Sequence, residues 1–566
     1  MISKAFEKAY GKVIWVFSFF ILLLFVWFSL ISTSTVSLME KIYLTDISGI
    51  PYPVVFVILL LISVLTPGNK RIEAFDKKLE DNKSLFGILY YSMTVLLLLV
   101  SIVWVLFTDF MSWADSADVQ TAAAGLVNGD YSAFLSPGYI GRWQNQIGLA
   151  LIEASVIKVF GDHSHTVFQL INALCFPVIV TSLSRFTDSK LRKLIILLTG
   201  ILWLPLLLSV SHVYGNVPGL MLSLLAYVYL FEHFKNGKTG TGLLSAFLIA
   251  FACLVKQNYI IFLIAYILIC IINSVKKNKA VYAAVAVCAV LMSVLFTKAA
   301  TVITEHITGF EIEGGISKWS YIAMAMQEGD RAPGWFNGYN SVSYDMAGYD
   351  TSVQSEMAKT EIRKSISAFL DQPSYMIGFY TKKLASQWNE PTFQTIWYLR
   401  GSGKDLPGCI EYMVSIYGSY KMLPYFKFFE VVIYLSAFLF VCFEKKADDK
   451  TLLLLTTFIG GVMFHLLWEA KAQYALFYFV LLIPVAVNGC ASFRSAVNGM
   501  IEAKTEKERK TAEEKKSPGK LRTDLIVCFV LFFLFLGVLY YLHIPGSLKE
   551  GTVSYYEYIV ENSIQN

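Results

Sequence analysis

Apolar runs of about 17 to 22 residues recur along this chain, and such runs read as membrane-crossing helices. The first three lie at Val13–Thr33, Tyr52–Thr66 and Leu85–Phe107. Further runs follow at His165–Leu183, Leu194–Val210 and Leu220–Phe231, then as two short pieces either side of Lys256. Ala280–Phe296, Phe426–Phe443, Leu452–Leu467, Tyr474–Val487 and Leu525–Leu542 complete the series. The pattern predicts an all-α polytopic membrane protein with about 13 transmembrane helices. Two long stretches break it, 109–164 and 301–423, and both hold helical spacing without a convincing span.

Basic residues orient the spans. Lys4, Lys8 and Lys12 precede the first, and Lys70, Arg71, Lys77, Lys78 and Lys83 follow the second. The positive-inside rule puts both groups, and the N-terminus, in the cytoplasm. Span three then exits outward, so 109–164 is extracytoplasmic. Asn145–Phe160 is helical, but a crossing there would carry Arg185, Lys190, Arg192 and Lys193 outside. It is therefore expected to lie along the membrane surface. The same parity places the turns at 211–219, at Lys256 and at 468–473 outside, together with 301–423. The chain divides into 1–84 (two helices and a cytoplasmic loop), 85–300 (a membrane core containing the outer loop) and 301–423 (a large outer loop). Then come 424–488 (core helices), 489–522 (a basic cytoplasmic linker) and 523–566 (a last span and outer tail).

Only 16% of residues are charged, against about 25% in soluble domains. The net charge of +5 resides in short loops, so no nucleic-acid partner is expected. The cysteines fall almost entirely within apolar runs and form no metal-ligand or disulfide pattern. No Walker A, dinucleotide-binding or HExxH motif occurs, and no outer DxD pair suggests a metal or other cofactor.

The chemistry-bearing residues gather in the expected outer loops. Asp115 and Asp118 sit where the chain leaves span three, a depth at which partial burial raises a carboxylate toward general-base range. Asp115 or Ser116 would equally serve as a helix N-cap there. Arg142, Lys256 and Lys471 are the cation candidates, since ionisable residues at membrane depth are costly and more often functional than decorative. A Glu469–Lys471 pairing or snorkelling is the competing structural role for the last. Gln144, Asn145, His212, Tyr214, Asn216, Glu469 and Gln473 are candidate lining residues. Trp335 and Trp388 stand for the loop aromatics that could stack on a sugar ring.

Several stretches resemble the GT-C glycosyltransferases, specifically bacterial relatives of the protein O-mannosyltransferases. They are WADSADVQTAAAGLVNGDYSAF, RWQNQIGLALIEASVIKVFG, SHVYGN, LVKQNY, KLASQWNEPTFQTIW and FHLLWEAKAQYALFYFVLLIP, in that order between Asp109 and Pro484. The resemblance implies a GT-C-like helical core beginning at span three, with juxtamembrane helices in the first outer loop. It also implies a polyprenyl-phosphate sugar as donor and an outer-loop Asp as base, matching Asp115 first and Asp118 second. Arg142-Trp143-Gln144-Asn145 replaces the Lys-Pro-Pro or His-Pro-Pro of close members, which turns the expected acceptor from protein toward a cell-envelope polysaccharide or teichoic acid. The expected setting is the plasma membrane, with the active site outside. The alternative is a transporter or flippase of lipid-linked saccharides, which the long outer loop and the lack of internal symmetry disfavour.

Overall fold

The computed structural model describes residues 2–509 apart from 48, 66, 109, 402–405 and 445–447, and residues 534–558 apart from 536, 543, 550, 551, 555 and 556. Helix α1 (Ile2–Ile31) leads into a hairpin of β1 (Thr33–Val36) and β2 (Ile42–Thr45). Helices α2 (Pro51–Leu65), α3 (Pro67–Asp81) and α4 (Lys83–Thr108) follow. The next stretch forms α5 (Asp115–Asn128), α6 (Tyr139–Arg142) and α7 (Ile147–Phe160), and α7 joins α8 (Ser164–Ser184) through a single 3-10 turn. Then come α9 (Lys190–Leu202), α10 (Leu204–Leu208), α11 (Asn216–Asn236), α12 (Thr239–Val255), α13 (Ile260–Lys277) and α14 (Ala280–Thr308).

The long polar region folds as α15 (Lys318–Met324), α16 (Tyr339–Met346), α17 (Thr351–Asp371), α18 (Pro373–Trp388), α19 (Thr395–Arg400) and α20 (Gly408–Val414). The bundle closes with α21 (Ile416–Phe443), α22 (Asp449–Leu467), α23 (Ala472–Phe479) and α24 (Leu482–Arg509).

Among the described residues eight helices are long and apolar enough to cross a membrane, and two bent pairs raise the number to ten. The first pair bends by 58° between α9 and α10. Trp203 is extended there and Pro205 opens α10, where its missing N–H costs no helical bond. Helices α2 and α12 are shorter, at 15 and 17 residues. The run expected at Leu525–Leu542 lies mostly outside the described residues. Each remaining expected span has its helix, and the protein is a multi-pass membrane protein.

The connecting segments separate into two sets, one at each end of the bundle. At one end Lys276 pairs with Glu7 and Asp449, Lys450 with Asp188, and Lys190 with Glu80. These are the loops whose basic residues predict the cytoplasm. The segments following α1, α4, α10, α12, α14 and α22 meet at the other end, and there the polar side chains converge.

Helix α1 belongs to the core. It packs on α21 and α22, burying Leu22, Leu23, Phe25 and Phe28. The all-α expectation is modified in one place. β1 pairs antiparallel with β2, and β2 pairs parallel with β3 (Thr552–Val553). The β-branched sequences TSTV and IYLT favour this, and adjoining an apolar span they read as its continuation. A buried ion pair fixes the hairpin's root. Lys427 of α21 donates to Glu430 at 2.7 Å, to the Asn389 side chain at 2.8 Å and to the Ser32 carbonyl at 2.9 Å, with both charged side chains fully enclosed. Lys427→Met strands the Glu430 charge and should lower stability by about 3–5 kcal/mol. Thermal unfolding in detergent measures this, and Lys427→Met combined with Glu430→Leu should recover most of the loss.

Candidate functional site

The site is built where α4 hands over to α5. The N-cap of α5 is Ala114, which has no group to cap with. Asp115 is the first helical residue, so its carboxylate is not spent on the helix terminus, and Ser116 instead donates to the Trp113 carbonyl at 2.8 Å. Ala114 is held at φ 52°, ψ −143°. Backbone of that kind costs an L-residue about 1–3 kcal/mol and persists only where neighbours enforce it. The enforcing neighbour is Trp113, which lies 4.4 Å from the Trp397 ring and donates its indole N–H to the Tyr398 carbonyl at 3.0 Å.

The Asp115 carboxylate accepts from the Tyr214 hydroxyl at 3.4 Å. That hydroxyl accepts in turn from the Gln146 amide at 2.7 Å and lies 3.3 Å from the Tyr139 hydroxyl. The Lys256 ammonium stands over the Tyr214 ring, 3.1 Å from its centre. Gly215, at φ 72°, permits this approach, because a Cβ there would come within 2.8 Å of the Val255 carbonyl oxygen. His212 stacks on Tyr398 with centroids 4.1 Å apart and planes within 4°.

A second group closes on the first from the turn between α22 and α23. Lys471 donates to Glu40 at 3.0 Å, and the same carboxylate takes Arg331 at 2.7 Å. The Tyr398 hydroxyl bonds the Gln473 side chain. The charges of Asp115, Glu40 and Glu469 all act on Lys471.

Electrostatics follow from packing so many charges with little water. Burial pushes Glu469 up to about 7, with Lys471 opposing and Asp115 adding to the rise. Burial brings Lys256 down to about 7, with Asp115 resisting and Lys471 assisting. Burial and then Lys256 and Lys471 take His212 down to about 3, so it is neutral at ordinary pH. Lys471 is held above its ordinary value, because Glu40, Asp115 and Glu469 outweigh its burial. Asp118, one turn on from Asp115, is exposed, and its carboxyl is raised by the burial it has and by Asp115.

The cluster therefore unites Asp115, Lys256, Lys471, His212, Tyr214, Glu469 and Gln473. Asn216 opens α11 beside it, in a narrow crevice shared with Lys256 and Tyr474. Other expected residues fall elsewhere. The Arg142 guanidinium binds Asp345 at 2.7 Å and the Pro137 and Ser341 carbonyls at 2.8 and 3.3 Å, so it ties loop to loop. The 3-10 turn Gln144–Gln146 directs Gln146 inward to Tyr214, leaving Asn145 exposed and Gln144 half-buried. Trp335 and Trp388 are corrected to core residues. They are 1% and 0% exposed, and Trp388 stacks on Phe25, so neither offers a face to a sugar. Glu40, Arg331, Gln394 and Gln146 were not anticipated. They are ordinary polar residues whose partners lie far away in sequence, and none carries a local signal. Among the described residues no group of three or more His, Cys, Asp or Glu is placed to hold a metal ion.

Residues 147–296 match the family model of dolichyl-phosphate-mannose-protein mannosyltransferases. That stretch is 150 of the 566 residues. The matched stretch carries His212, Tyr214, Asn216 and Lys256, and leaves Asp115, Glu469 and Lys471 outside it. The structure is also similar to the apo oligosaccharyltransferase of Archaeoglobus fulgidus, at 13% identity and a TM-score of 0.36, over 82% of this chain and 56% of that one. This chain thus spans little more than half that protein's length. No curated protein matches it.

Removing the hydroxyl that organises the first group has a defined cost. Tyr214→Phe leaves the Gln146 amide unpaired in a buried position and should destabilise the protein by about 1–3 kcal/mol. The melting temperature in detergent reports it, and Gln146→Leu added to Tyr214→Phe should return part of the loss.

Proposed function

We propose that this protein is a membrane glycosyltransferase of the GT-C superfamily that moves a sugar from a polyprenyl-phosphate donor to an extracytoplasmic acceptor at the plasma membrane, a cell-envelope polysaccharide or teichoic acid. The observation that carries the reading is the meeting of Asp115 with Lys256, Lys471 and Glu469 at one end of the helical bundle. An acceptor hydroxyl oxygen attacks the anomeric carbon and its proton passes to the Asp115 carboxylate. The bond from the anomeric carbon to the phosphate oxygen breaks, and the electron pair leaves on the lipid phosphate. Lys471 and Lys256 balance that charge, in a setting where preorganised cations act strongly because little water competes. Tyr214 orients the base by donating to it. A single displacement of this kind inverts the anomeric centre. His212, Asn216 and Gln473 supply neutral polar groups for the sugar hydroxyls.

Purified protein in nanodiscs, offered a panel of radiolabelled undecaprenyl-phosphate sugars and an envelope extract, tests the reading. Turnover with one sugar, lost by about 10²-fold or more in Asp115→Asn, is the expected result. Binding of the donors without turnover in wild type and variant alike would favour transport.

The pH dependence has a definite sign. As pH rises through about 7, Lys256 gives up its proton and Glu469 loses its own, so each step makes the site more negative. The donor is a phosphodiester and stays a monoanion over this range. Donor affinity should therefore fall by about tenfold or more between roughly pH 6 and pH 8. Lys256→Met combined with Glu469→Gln should flatten the profile in equilibrium binding.

A further inference from the structure

We propose that Glu40, at the tip of the β1–β2 hairpin, is a positioning residue that aims the Lys471 ammonium at the donor phosphate. The inference rests on the reading of Lys471 as a phosphate-facing cation. Glu40 is 4% exposed and its carboxylate is fully engaged. Oε1 accepts from Lys471 at 3.0 Å and from the Gln394 amide at 3.2 Å, and Oε2 takes Arg331 at 2.7 Å. Gln394 then reaches the other way, its carbonyl oxygen accepting the Gln473 backbone N–H at 3.0 Å. Glu40 thus grips the lysine head while Gln394 grips the turn that carries the lysine.

The backbone confirms that the contact is imposed. Glu40 has φ 60°, Phe393 φ 52° and Gln394 φ 60°. A left-handed conformation costs a non-glycine residue about 1–2 kcal/mol; Glu40 holds Lys471 directly, and Gln394 joins Glu40 to the Gln473 backbone. The hairpin tip is clamped to hold that shape. The Ile42 N–H donates to the Arg331 carbonyl at 3.0 Å, and the Trp397 indole donates to the Leu38 carbonyl at 3.0 Å.

A lysine has a four-carbon flexible stem and three N–H donors. Glu40 takes one, and among the described residues no other hydrogen-bond acceptor meets the remaining two. The ammonium is tethered to Glu40, lies 5.7 Å from the Trp397 ring centre and feels the charges of Asp115 and Glu469. A phosphate oxygen reaching the ammonium would complete its shell. Arg331 compensates the Glu40 charge from behind, so the trio keeps one net positive charge for an anion.

The test is Glu40→Gln in nanodiscs, alone and with Lys471→Met. If Glu40 works through Lys471, Glu40→Gln should lower kcat/KM for the undecaprenyl-phosphate sugar by about tenfold in wild type and by less than about twofold in the Lys471→Met background. Equal losses in both backgrounds, or none in wild type, would overturn the inference. Competitive acetylation with acetic anhydride, read at Lys471 by mass spectrometry, needs no substrate. Its pH midpoint should fall by about one unit in Glu40→Gln. Asp115, Glu469, Lys256 and His212 also face Lys471 and are the same in both proteins. If wild type turns over no donor, the functional reading fails while the midpoint still decides: a shift supports the role of Glu40 and no shift removes it. Should Glu40→Gln not fold, Glu40→Asp keeps the charge but withdraws it by one methylene. It should hold the midpoint within about half a unit while still lowering kcat/KM, and full activity would overturn the inference.

Discussion

Charges buried at the ends of apolar helices are tolerable only when each is answered by another. Asp115, Glu40 and Glu469 stand against Lys256, Lys471 and Arg331, and they come from segments scattered along nearly the whole chain. The need to balance them draws the hairpin after α1, the turn after α12 and the turn after α22 into one place. The remaining architecture serves that meeting. The helices act as columns of set length, and the helices between α14 and α21 form the roof. That roof places Trp397, Tyr398 and Gln394 from α19 and its approach over the charges.

Rigidity at this meeting point comes from strained backbone as much as from contacts. Ala114, Glu40, Phe393 and Gln394 all occupy conformations that L-residues avoid. None of them is a glycine, so none gets the conformation freely. Around them a neighbouring indole, guanidinium or amide holds the chain in place. Side chains on such backbone have little freedom left, which suits the proposed transfer, in which charge separates between a fixed carboxylate and a fixed ammonium.

Much of the fold is legible in the sequence, because hydropathy and basic turns act locally. An apolar run spans whatever its neighbours do, and the alternation of loops follows from counting. The same logic exposes Asp115, Lys256, Lys471 and Glu469, since a charge bordering an apolar run is conspicuous. Aromatic residues are ambiguous for a physical reason. Trp388 and Tyr398 both lie in the KLASQWNEPTFQTIWYL region, yet one is sealed against Phe25 and the other stacks beside His212. Nothing local distinguishes a tryptophan that fills a core from one that lines a cleft. Arg142 is misleading in the opposite sense, a conspicuous charge whose partner, Asp345, lies outside the cluster. Glu40 and Arg331 are silent because their meaning depends on a pairing across nearly three hundred residues.

The small sheet has a bearing on how the molecule comes into being. Leu44 and Thr45 of the hairpin pair with Thr552 and Val553, and the Tyr558 hydroxyl reaches the Val36 carbonyl. The first stretch to emerge after α1 therefore waits for Thr552 and Val553 before its edge is covered. During synthesis the bundle can assemble helix by helix while the hairpin that holds the Lys471 ammonium still has an unsatisfied flank. A bundle assembled before Thr552 and Val553 are made therefore has a charged centre that lacks its final brace.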